Sequence, residues 1–146
     1  MKVLGVLAGG DYPPERIRSW AESADLVVAA DGGADRLLEA GFTPTFLLGD
    51  LDSVTSIGVE RSGEVRHDPD QETTDCDKLL AHLVDKGHAA VTLICAEGDL
   101  LDHVIGTLHS AAKASIAVRF VLRRGFGYVV RGPFAQDIHT EPGCRV

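Results

Sequence analysis

The sequence contains few cysteines and no long apolar run. Its three cysteines, Cys76, Cys95 and Cys144, form no C-x-x-C pair and are odd in number, which predicts reduced thiols and a cytoplasmic protein. The apolar stretch at the start of the chain is too short for a signal peptide, and Asp11 interrupts it. Because no segment approaches the length of a membrane span, we expect a soluble protein that has no membrane partner.

Basic residues are also scarce. The 146 residues include 14 Lys and Arg against 22 Asp and Glu, which gives a formal net charge of −8. The basic side chains are scattered apart from Arg123-Arg124, whereas a protein that binds a nucleic-acid backbone needs a basic stripe. This charge balance argues against a nucleic-acid partner. It still permits ATP as a ligand, provided that Mg²⁺ screens the phosphates.

Several motifs of well-known enzyme classes are missing. The sequence has no G-x-G-x-x-G fingerprint for a dinucleotide, no P-loop and no G-x-S-x-G elbow. The histidines show none of the spacings of a zinc site, and no cysteine has a clear histidine partner in sequence. Any nucleotide site in this chain must therefore be built in another way.

Strand and helix patterns alternate along most of the chain. Strands are predicted at residues 2–8, 26–30, 46–49, 64–67 and 90–96. Helices are predicted at residues 15–24, 34–40, from Thr73 or Thr74 to Gly87, and at 102–114, with a short helix or loop at 54–63. The third of these helices has a buried stripe of Leu79, Leu80, Leu83 and Val84. This alternation predicts an α/β fold with a doubly wound, mainly parallel, Rossmann-like sheet.

The last part of the chain has a different pattern. Residues 118–122 and 128–131 resemble a hairpin around Gly125, and residues 143–146 resemble a strand that is just beginning. We expect two regions, an α/β catalytic, nucleotide-binding domain at 1–117 and a β-rich tail at 118–146. The tail is interpreted as the start of a truncated C-terminal domain.

Acidic residues follow the second and third predicted strands. These segments are Asp31-Gly32-Gly33 and Gly49-Asp50-Leu51-Asp52-Ser53. Alternate residues of an extended segment point to the same side, so Asp50 and Asp52 should lie side by side and repel unless a cation lies between them. Mg²⁺ bridged to substrate phosphates is the usual ion for such oxygen ligands. The alternative interpretation is that Asp31 and Ser53 only cap helices.

Two further acidic clusters occur near the starts of later helices. They are QETTDCDK at residues 71–78 and GDLLDH at residues 98–103. Each has an ordinary interpretation, namely helix-start capping for the first, and Asp102 as an N-cap beside a surface His103 for the second. All four clusters nevertheless fall at carboxyl ends of predicted parallel strands or at the helix starts beyond, where open α/β sheets bind ligands. We therefore expect one site.

Taken together, the clusters resemble the catalytic domain of the thiamin pyrophosphokinase family. The resemblance rests on Ala30-Asp31-Gly32-Gly33-Ala34, Gly49-Asp50-Leu51-Asp52-Ser53, Asp70-Gln71 with Thr73-Thr74-Asp75 and Lys78, and Leu101-Asp102-His103. It implies a homodimeric enzyme that uses Mg²⁺, transfers the terminal pyrophosphate of ATP to the hydroxyl of thiamin and releases AMP. Such a transfer needs positioning and charge neutralisation more than covalent chemistry.

The resemblance also implies roles for individual residues. The Mg²⁺ ligands would be Asp50, Asp52 and Asp75. The substrate-binding residues would be Asp31, Gly32, Gly33, Gln71, Thr74, Lys78 and His103, with Gln71 on the thiamin side. The proton of the attacking hydroxyl would go to Asp75 or to Asp102, and the resemblance does not choose between them.

Three other interpretations stay open. Residues 46–53 resemble the strand-D-x-D motif of haloacid dehalogenase-like phosphatases, with Asp50 as nucleophile and Asp52 as acid/base. A pterin pyrophosphokinase would share the ATP half of the site and differ in the acceptor. A domain that binds Mg-ATP without transferring anything is the third, because Leu100 stands where the thiamin pyrophosphokinase family usually has Arg and because the β-rich tail is short. Asp99 also stands where that family has Gly.

Overall fold

Apolar or alternating segments form the strands, and a hairpin extends the sheet they make. The computed structural model describes residues 1–133 and 142–143. The strands are β1 (Val3–Val6), β2 (Leu26–Ala30), β3 (Phe46–Gly49), β4 (Glu64–His67), β5 (Ala90–Ile94), β6 (Ala117–Leu122) and β7 (Gly125–Tyr128). β1, β2 and β3 are buried almost throughout, as strands covered on both faces must be. β4 is exposed along its whole length at one edge of the sheet.

Local chemistry sets the ends of the helices. The helices are α1 (Pro14–Glu22), α2 (Gly33–Glu39), α3 (Ser56–Arg61), α4 (Asp75–Asp85) and α5 (Leu101–Lys113). At the start of α4 the Thr74 hydroxyl accepts a hydrogen bond from the Asp77 N–H, and the Asp77 carboxylate accepts one from the Thr74 N–H, which makes a capping box. Gly41 and Gly87 follow α2 and α4 with φ of 73° and 79°, a conformation that ends helices and favours glycine.

The sheet is doubly wound, as the sequence predicts. Its strand order is β4-β3-β2-β1-β5-β6-β7, and every neighbouring pair is parallel except β6 and β7. The chain starts at β1, moves outward to β4, and then crosses to the other side of β1. Because crossovers between parallel strands are right-handed, this reversal puts α1, α2 and α3 on one face and α4 and α5 on the other. Ligands bind beyond the carboxyl ends of the strands in sheets of this kind.

The apolar stripe of α4 supplies a large part of the core. Leu79, Leu80 and Leu83 are each at most 2% exposed, and α4 packs against β2 and β3. Burying each of these side chains stabilises the fold by about 1.5–3 kcal/mol. Val84 is 37% exposed, so its prediction as part of the buried stripe is wrong. It lies at the margin of the stripe and borders a groove between α4 and the end of α5.

Two strands end earlier than predicted. β1 ends at Val6 rather than at residue 8, and β5 ends at Ile94 rather than at residue 96. Cys95 has a φ of 59°, a left-handed conformation that cannot continue a strand. The Gly9 N–H donates to the Cys95 carbonyl at 2.9 Å. The loops after β1 and β5 are thereby joined at the carboxyl edge of the sheet.

The hairpin is present but its second strand begins earlier than predicted. β7 spans Gly125–Tyr128 instead of residues 128–131 and pairs antiparallel with β6. The two-residue turn Arg123-Arg124 lets Gly125 pair with Leu122 at once, which accounts for the difference. β6 itself pairs parallel with β5 in the same sheet. The division into regions 1–117 and 118–146 stays a prediction, and residues 144–146, including Cys144, lie outside the described residues.

Two further sequence expectations concern membranes and thiols. Within residues 1–133 and 142–143, no helix combines the length and the apolar character that crossing a membrane requires.

Cys76 and Cys95 are buried, and burial raises the pKa of both thiols to about 12. Neither thiol is therefore ionised near neutral pH.

Gly33 marks a close approach of α2 to β1 and provides a test of the fold. A Cβ at Gly33 would lie 2.1 Å from the Val6 carbonyl oxygen, so Gly33→Ala must push the start of α2 away from the strand. We expect the free energy of unfolding to fall by about 1–3 kcal/mol, measured by urea denaturation. Gly106→Ala in α5 is the matched control, because its Cβ would make an ordinary 3.5 Å contact with Thr74. Equal stabilities for the two variants would contradict this packing.

Candidate active site

A cleft of about 430 Å³ lies at the carboxyl edge of the sheet. Its walls come from the ends of β1 and β2, the loop after β3, and the starts of α4 and α5. The acidic residues that line it are Asp50, Asp52, Glu72, Asp75 and Asp99, and His103 is the basic residue among the described lining residues. Grooves of about 510 and 680 Å³ lie elsewhere on the surface. The smaller cleft is the candidate active site because it faces the strand carboxyl ends and gathers the predicted acidic residues.

The loop after β3 carries two carboxylates in a strained conformation. Leu51, which lies between them, has a φ of 62°. This conformation costs a non-glycine residue on the order of 1 kcal/mol or more, so surrounding contacts must hold it. The Gln71 side-chain amide donates to Asp50 Oδ2 at 2.8 Å, and the Ser53 hydroxyl donates to Asp52 Oδ1 at 2.9 Å. The hydrogen bond from Gln71 lowers the pKa of Asp50, because it stabilises the ionised form of this carboxylate.

Asp31 is buried behind this loop. It is 3% exposed and accepts hydrogen bonds from the backbone N–H groups of Ser53 and Val54, both at 3.1 Å. Burial raises the pKa of Asp31, and the hydrogen bonds from the loop oppose that shift. One carboxylate oxygen from each of Asp31, Asp50 and Asp52 lies within 4.8 Å of the other two. These three side chains are close enough to share a cation.

Asp75, the first residue of α4, adds a fourth carboxylate. A Cβ at Gly49 would lie 2.9 Å from Asp75 Oδ1 and 3.1 Å from the Cβ of Asp31, so glycine lets the end of β3 pass between the two acids. Asp75 Oδ1 is buried without a hydrogen-bond partner, and Lys78 Nζ lies 3.6 Å from it. Burial, together with the charges of Asp31 and Asp50, raises the pKa of Asp75 from 3.8 to about 6.

The carboxylates of Asp31, Asp50 and Asp52 fit a hard divalent cation, and Asp75 offers a further oxygen across Gly49. Every donor is an oxygen, which is the ligand type that Mg²⁺ prefers. The unpartnered oxygen of Asp75 and the crowding of Asp31, Asp50 and Asp52 both represent repulsion that a cation relieves. The chemistry of the donor set therefore suits the metal that the resemblance implies.

Lys78 and Thr74 also serve the local structure. The Lys78 side chain is 4% exposed, and its ammonium donates to the Asp68 carbonyl at 3.0 Å. It therefore forms a buried counter-charge to Asp75 and is not among the residues that line the cleft. Thr74 lines the cleft, but its hydroxyl caps α4 and lies 3.0 Å from the Ser110 hydroxyl. Residues 71–78 therefore cap α4, as the ordinary interpretation says, and also contribute side chains to the cleft.

The fourth acidic cluster forms one rim of the cleft. Asp99 Oδ2 lies 3.1 Å from Nδ1 of His103, and this hydrogen bond raises the pKa of the histidine. Asp102 is exposed and does not line the cleft. It is also not the N-cap, because α5 begins at Leu101 and Leu100 occupies the cap position.

The structure gathers most of the predicted site residues and separates the rest. At or directly behind the cleft lie Asp31, Asp50, Asp52, Gln71, Thr74, Asp75 and His103. Lys78 is buried beneath Asp75, and Asp102 lies outside the cleft. Gly32 and Gly33 permit close packing, since a Cβ at Gly32 would lie 3.3 Å from the Cβ of Ala8 and one at Gly33 would overlap the backbone of β1.

Sequence reasoning missed Asp35, and it placed Asp99 in the fourth acidic cluster without its contact to His103. Asp35 accepts hydrogen bonds from the Thr55 N–H at 2.8 Å and from the Thr55 hydroxyl at 2.6 Å. Asp99 holds His103, as described above. Asp35 follows Asp31 by four residues, and Asp99 precedes His103 by four. Residues four apart near a helix start lie on the same side of the helix, so this spacing could have indicated both contacts.

Residues 17–121 match the family model described as the catalytic domain of thiamin pyrophosphokinase. This chain belongs to the thiamin pyrophosphokinase family. The matched range contains the carboxylates of the cleft from Asp31 to Asp99. Membership of this family confirms the resemblance that the acidic clusters indicate, and it argues against the haloacid dehalogenase-like interpretation of residues 46–53.

Individual relatives agree with this assignment. The thiamine pyrophosphokinase of Bacillus subtilis is 24% identical over 166 residues, which cover 95% of this chain and 77% of that protein. The crystal structure of a probable thiamine pyrophosphokinase from Staphylococcus saprophyticus is 26% identical, with a TM-score of 0.63 over 83% of this chain. A thiamin pyrophosphokinase family protein from Enterococcus faecalis has a TM-score of 0.65 over 83% of this chain, and at 23% identity it supports the fold alone.

This chain spans less than two thirds of these two relatives of known structure. The chain spans 65% of the Staphylococcus saprophyticus protein and 61% of the Enterococcus faecalis protein. The comparisons therefore support the fold and the family.

Asp75 gives the site a pH signature. Its pKa of about 6 lies above the ordinary value of 3.8, so between these values the folded chain keeps a proton that the unfolded chain has released. The contribution of Asp75 to the free energy of unfolding therefore falls as the pH rises from about 4 to 6. We expect Asp75→Asn to be more stable than the parent at pH 7 and less dependent on pH in this range.

Urea unfolding between pH 4 and pH 8, in the presence of EDTA, measures this effect. Asp102→Asn is the control, because Asp102 is an exposed carboxylate on the neighbouring helix. We expect it to follow the parent. An Asp75→Asn variant that is less stable than the parent at pH 7 would contradict the burial of a charge that Lys78 compensates only in part.

Proposed function

We propose that this chain binds Mg-ATP in the cleft and transfers the terminal pyrophosphate group to the hydroxyl of thiamin, with release of AMP. The acceptor hydroxyl oxygen forms a bond to the β-phosphorus, the bond from that phosphorus to the α-phosphate oxygen breaks, and the hydroxyl proton leaves to a base. Family membership supports the reaction class. The acceptor and the metal dependence are the parts that need testing.

One observation carries the proposal. Oxygen atoms of Asp31, Asp50 and Asp52 lie within 4.8 Å of one another, and the unpartnered oxygen of Asp75 lies across Gly49 from Asp31. Such a cluster is unfavourable unless a cation joins it. Phosphates would be repelled by the same cluster without that cation, so the site suits a metal–nucleotide complex and not a bare nucleotide.

In the proposed complex, Asp50, Asp52 and Asp75 hold Mg²⁺, and Asp31 supports them from behind. The bound ion supplies charge neutralisation to the phosphates. Gln71 orients Asp50 through the 2.8 Å hydrogen bond and so connects the nucleotide side of the cleft with the side assigned to thiamin. Thr74 lines the cleft and would lie beside the nucleotide, and the resemblance assigns the Gly32-Gly33 turn, which packs against β1, to the same side.

Asp75 is the better supported of the two candidates for the proton acceptor. Asp75 Oδ1 is buried and has no hydrogen-bond partner among the described residues, so this oxygen is free to accept a proton from a hydroxyl in the cleft. Asp75 also lines the cleft, whereas Asp102 is exposed outside it. We therefore assign proton acceptance to Asp75 and a place on the outer rim to Asp102.

Three further features belong to the proposal. His103, held by Asp99, provides a positive charge at the rim when it is protonated, and this charge is lost as the pH rises through its raised pKa. Lys78 acts indirectly, as the buried counter-charge of Asp75. The homodimeric state, the cytoplasmic location and the two-region organisation are carried over from the sequence predictions.

Asp50→Asn tests the metal assignment. The amide keeps the shape of the side chain but removes the negative charge, so we expect Mg²⁺-dependent binding of ATP to be lost while the fold stays intact. Isothermal titration calorimetry with ATP, with and without Mg²⁺, measures the binding, and circular dichroism reports on the fold. Asp25→Asn is the control, because Asp25 lies at the amino ends of β1 and β2, away from the cleft. Unchanged nucleotide affinity in Asp50→Asn would refute the assignment.

Release of AMP tests the reaction and the base together. We expect AMP to form from Mg-ATP only when thiamin is present, and Asp75→Asn to lower the rate by about 10²–10⁴-fold, as for the loss of a general base. Asp102→Asn is expected to have a much smaller effect. The opposite ranking of the two variants would transfer the role to Asp102.

The same assay separates the alternatives. AMP that forms only with a pterin indicates a pterin pyrophosphokinase. Binding of ATP without formation of AMP indicates a domain that binds Mg-ATP and transfers nothing. A phosphate trapped covalently on Asp50 indicates phosphatase chemistry.

A further inference from the structure

Asp35 makes a specific contact to the segment that follows the metal-binding loop. It lies in the first turn of α2, where its carboxylate accepts a hydrogen bond from the Thr55 N–H at 2.8 Å and one from the Thr55 hydroxyl at 2.6 Å. Thr55 is the N-cap of α3, and its hydroxyl also accepts a hydrogen bond from the Gly58 N–H at 3.1 Å. One carboxylate on α2 thereby fixes the residue at which α3 begins.

Asp31 and Asp35 accept hydrogen bonds from consecutive residues of the same segment. Asp31 accepts hydrogen bonds from the N–H groups of Ser53 and Val54, and Asp35 accepts the next one from Thr55. Three consecutive backbone N–H groups therefore donate to two carboxylates of the segment after β2. Hydrogen bonds to an ionised acceptor are stronger than those between neutral groups.

These bonds restrain the loop at its carboxyl end. Asp50 and Asp52 lie on the loop directly before Ser53, and the other end of the loop is fixed where the Asp31 N–H donates to the Leu48 carbonyl at 2.9 Å. The loop is thus held at both ends by residues 31–35. Packing is also tight, since a Cβ at Gly58 would lie 2.5 Å from Asp35 Oδ1.

A restraint of this kind is needed because the loop works against repulsion. Asp50 and Asp52 lie within 4.8 Å of Asp31, and Leu51 between them has the strained φ of 62°. Without a restraint, the loop would relax by moving its carboxylates apart and away from Asp31. The free energy needed to bring the ligands together would then be subtracted from the free energy of metal binding, and the affinity would be lower.

We infer that Asp35 is a positioning residue for the metal site, acting through Thr55 on the loop that carries Asp50 and Asp52. This inference rests on the proposed function, because it requires these carboxylates to bind a divalent cation. Asp35 does not line the cleft, so its effect on the site is indirect. Its effect is to hold the ligand loop in the arrangement that a cation needs.

Binding of Mn²⁺ alone tests the inference without any turnover. Mn²⁺ shares the preference of Mg²⁺ for oxygen ligands, and electron paramagnetic resonance counts the ion that stays free. We expect Asp35→Ala to weaken Mn²⁺ binding by about 10–100-fold, the usual effect of losing a residue that orients a metal ligand. Asp35→Asn can still accept from the Thr55 N–H and donate to its hydroxyl, so we expect it to bind Mn²⁺ nearly as well as the parent.

Asp25→Ala is the matched control for a purely structural effect. Asp25 also accepts a backbone hydrogen bond, from the Lys2 N–H at 2.7 Å, but at the amino ends of β1 and β2. We expect it to lower the urea midpoint without changing Mn²⁺ affinity. Equal losses of affinity in Asp25→Ala and Asp35→Ala would show that general destabilisation is responsible, which overturns the inference.

The remaining outcomes also decide the matter. If Asp35→Asn binds Mn²⁺ as weakly as Asp35→Ala, charge and not positioning is responsible, and the inference fails. If the parent binds Mn²⁺ and Asp35→Ala binds it equally well, the inference fails while the proposed function stands. If the parent itself does not bind Mn²⁺, the metal part of the proposed function fails and the inference fails with it. Should Asp35→Ala not fold, Thr55→Val takes its place, because it removes the hydroxyl that donates to Asp35. Unchanged Mn²⁺ affinity in Thr55→Val would then overturn the inference.

Discussion

Repulsion between carboxylates is the constraint on which the rest of this site depends. Asp31, Asp50 and Asp52 bring oxygen atoms within 4.8 Å of one another, and Asp75 lies on the other side of Gly49. Nothing about acidic side chains favours this arrangement in the absence of a cation. The sheet imposes it, because parallel β2 and β3 end side by side and deliver their next residues to the same edge. The arrangement then persists because backbone N–H groups satisfy the buried carboxylate of Asp31.

The fold reduces part of this repulsion internally and leaves part of it for a ligand. Lys78, which is almost fully buried, lies 3.6 Å from Asp75 and is itself fixed by the Asp68 carbonyl. That single ammonium compensates one carboxylate of the group only incompletely, since the pKa of Asp75 is still raised to about 6. Charge left uncompensated lowers the stability of the empty protein and raises its affinity for a cation. Such an exchange of stability for binding is common at active sites.

The sequence was sufficient to locate the site but not to distinguish the roles of its acidic residues. Strands β2 and β4 have the predicted limits, and the acidic clusters could be placed at the strand ends from the apolar runs before them. The same residue types, however, serve as helix caps and as metal ligands. Asp77 completes a capping box, Asp75 two residues earlier faces the cleft, and Asp102 turns out to be exposed. Only tertiary contacts separate these cases, and the backbone angles of Leu51 and Cys95 depend on them too.

Asp99 and Leu100 show how one member of a family can differ locally within a shared fold. By the resemblance, Leu100 stands where the thiamin pyrophosphokinase family usually has Arg, and this residue is 65% exposed. A guanidinium is charged at every physiological pH, so an arginine there would give the rim a permanent positive charge. In this chain Asp99 instead bonds to His103 and raises the pKa of its imidazole. The positive charge at this rim therefore belongs to His103 and depends on pH. It is supported by the i,i+4 pair of Asp99 and His103 at the start of α5, where an arginine would need no such partner.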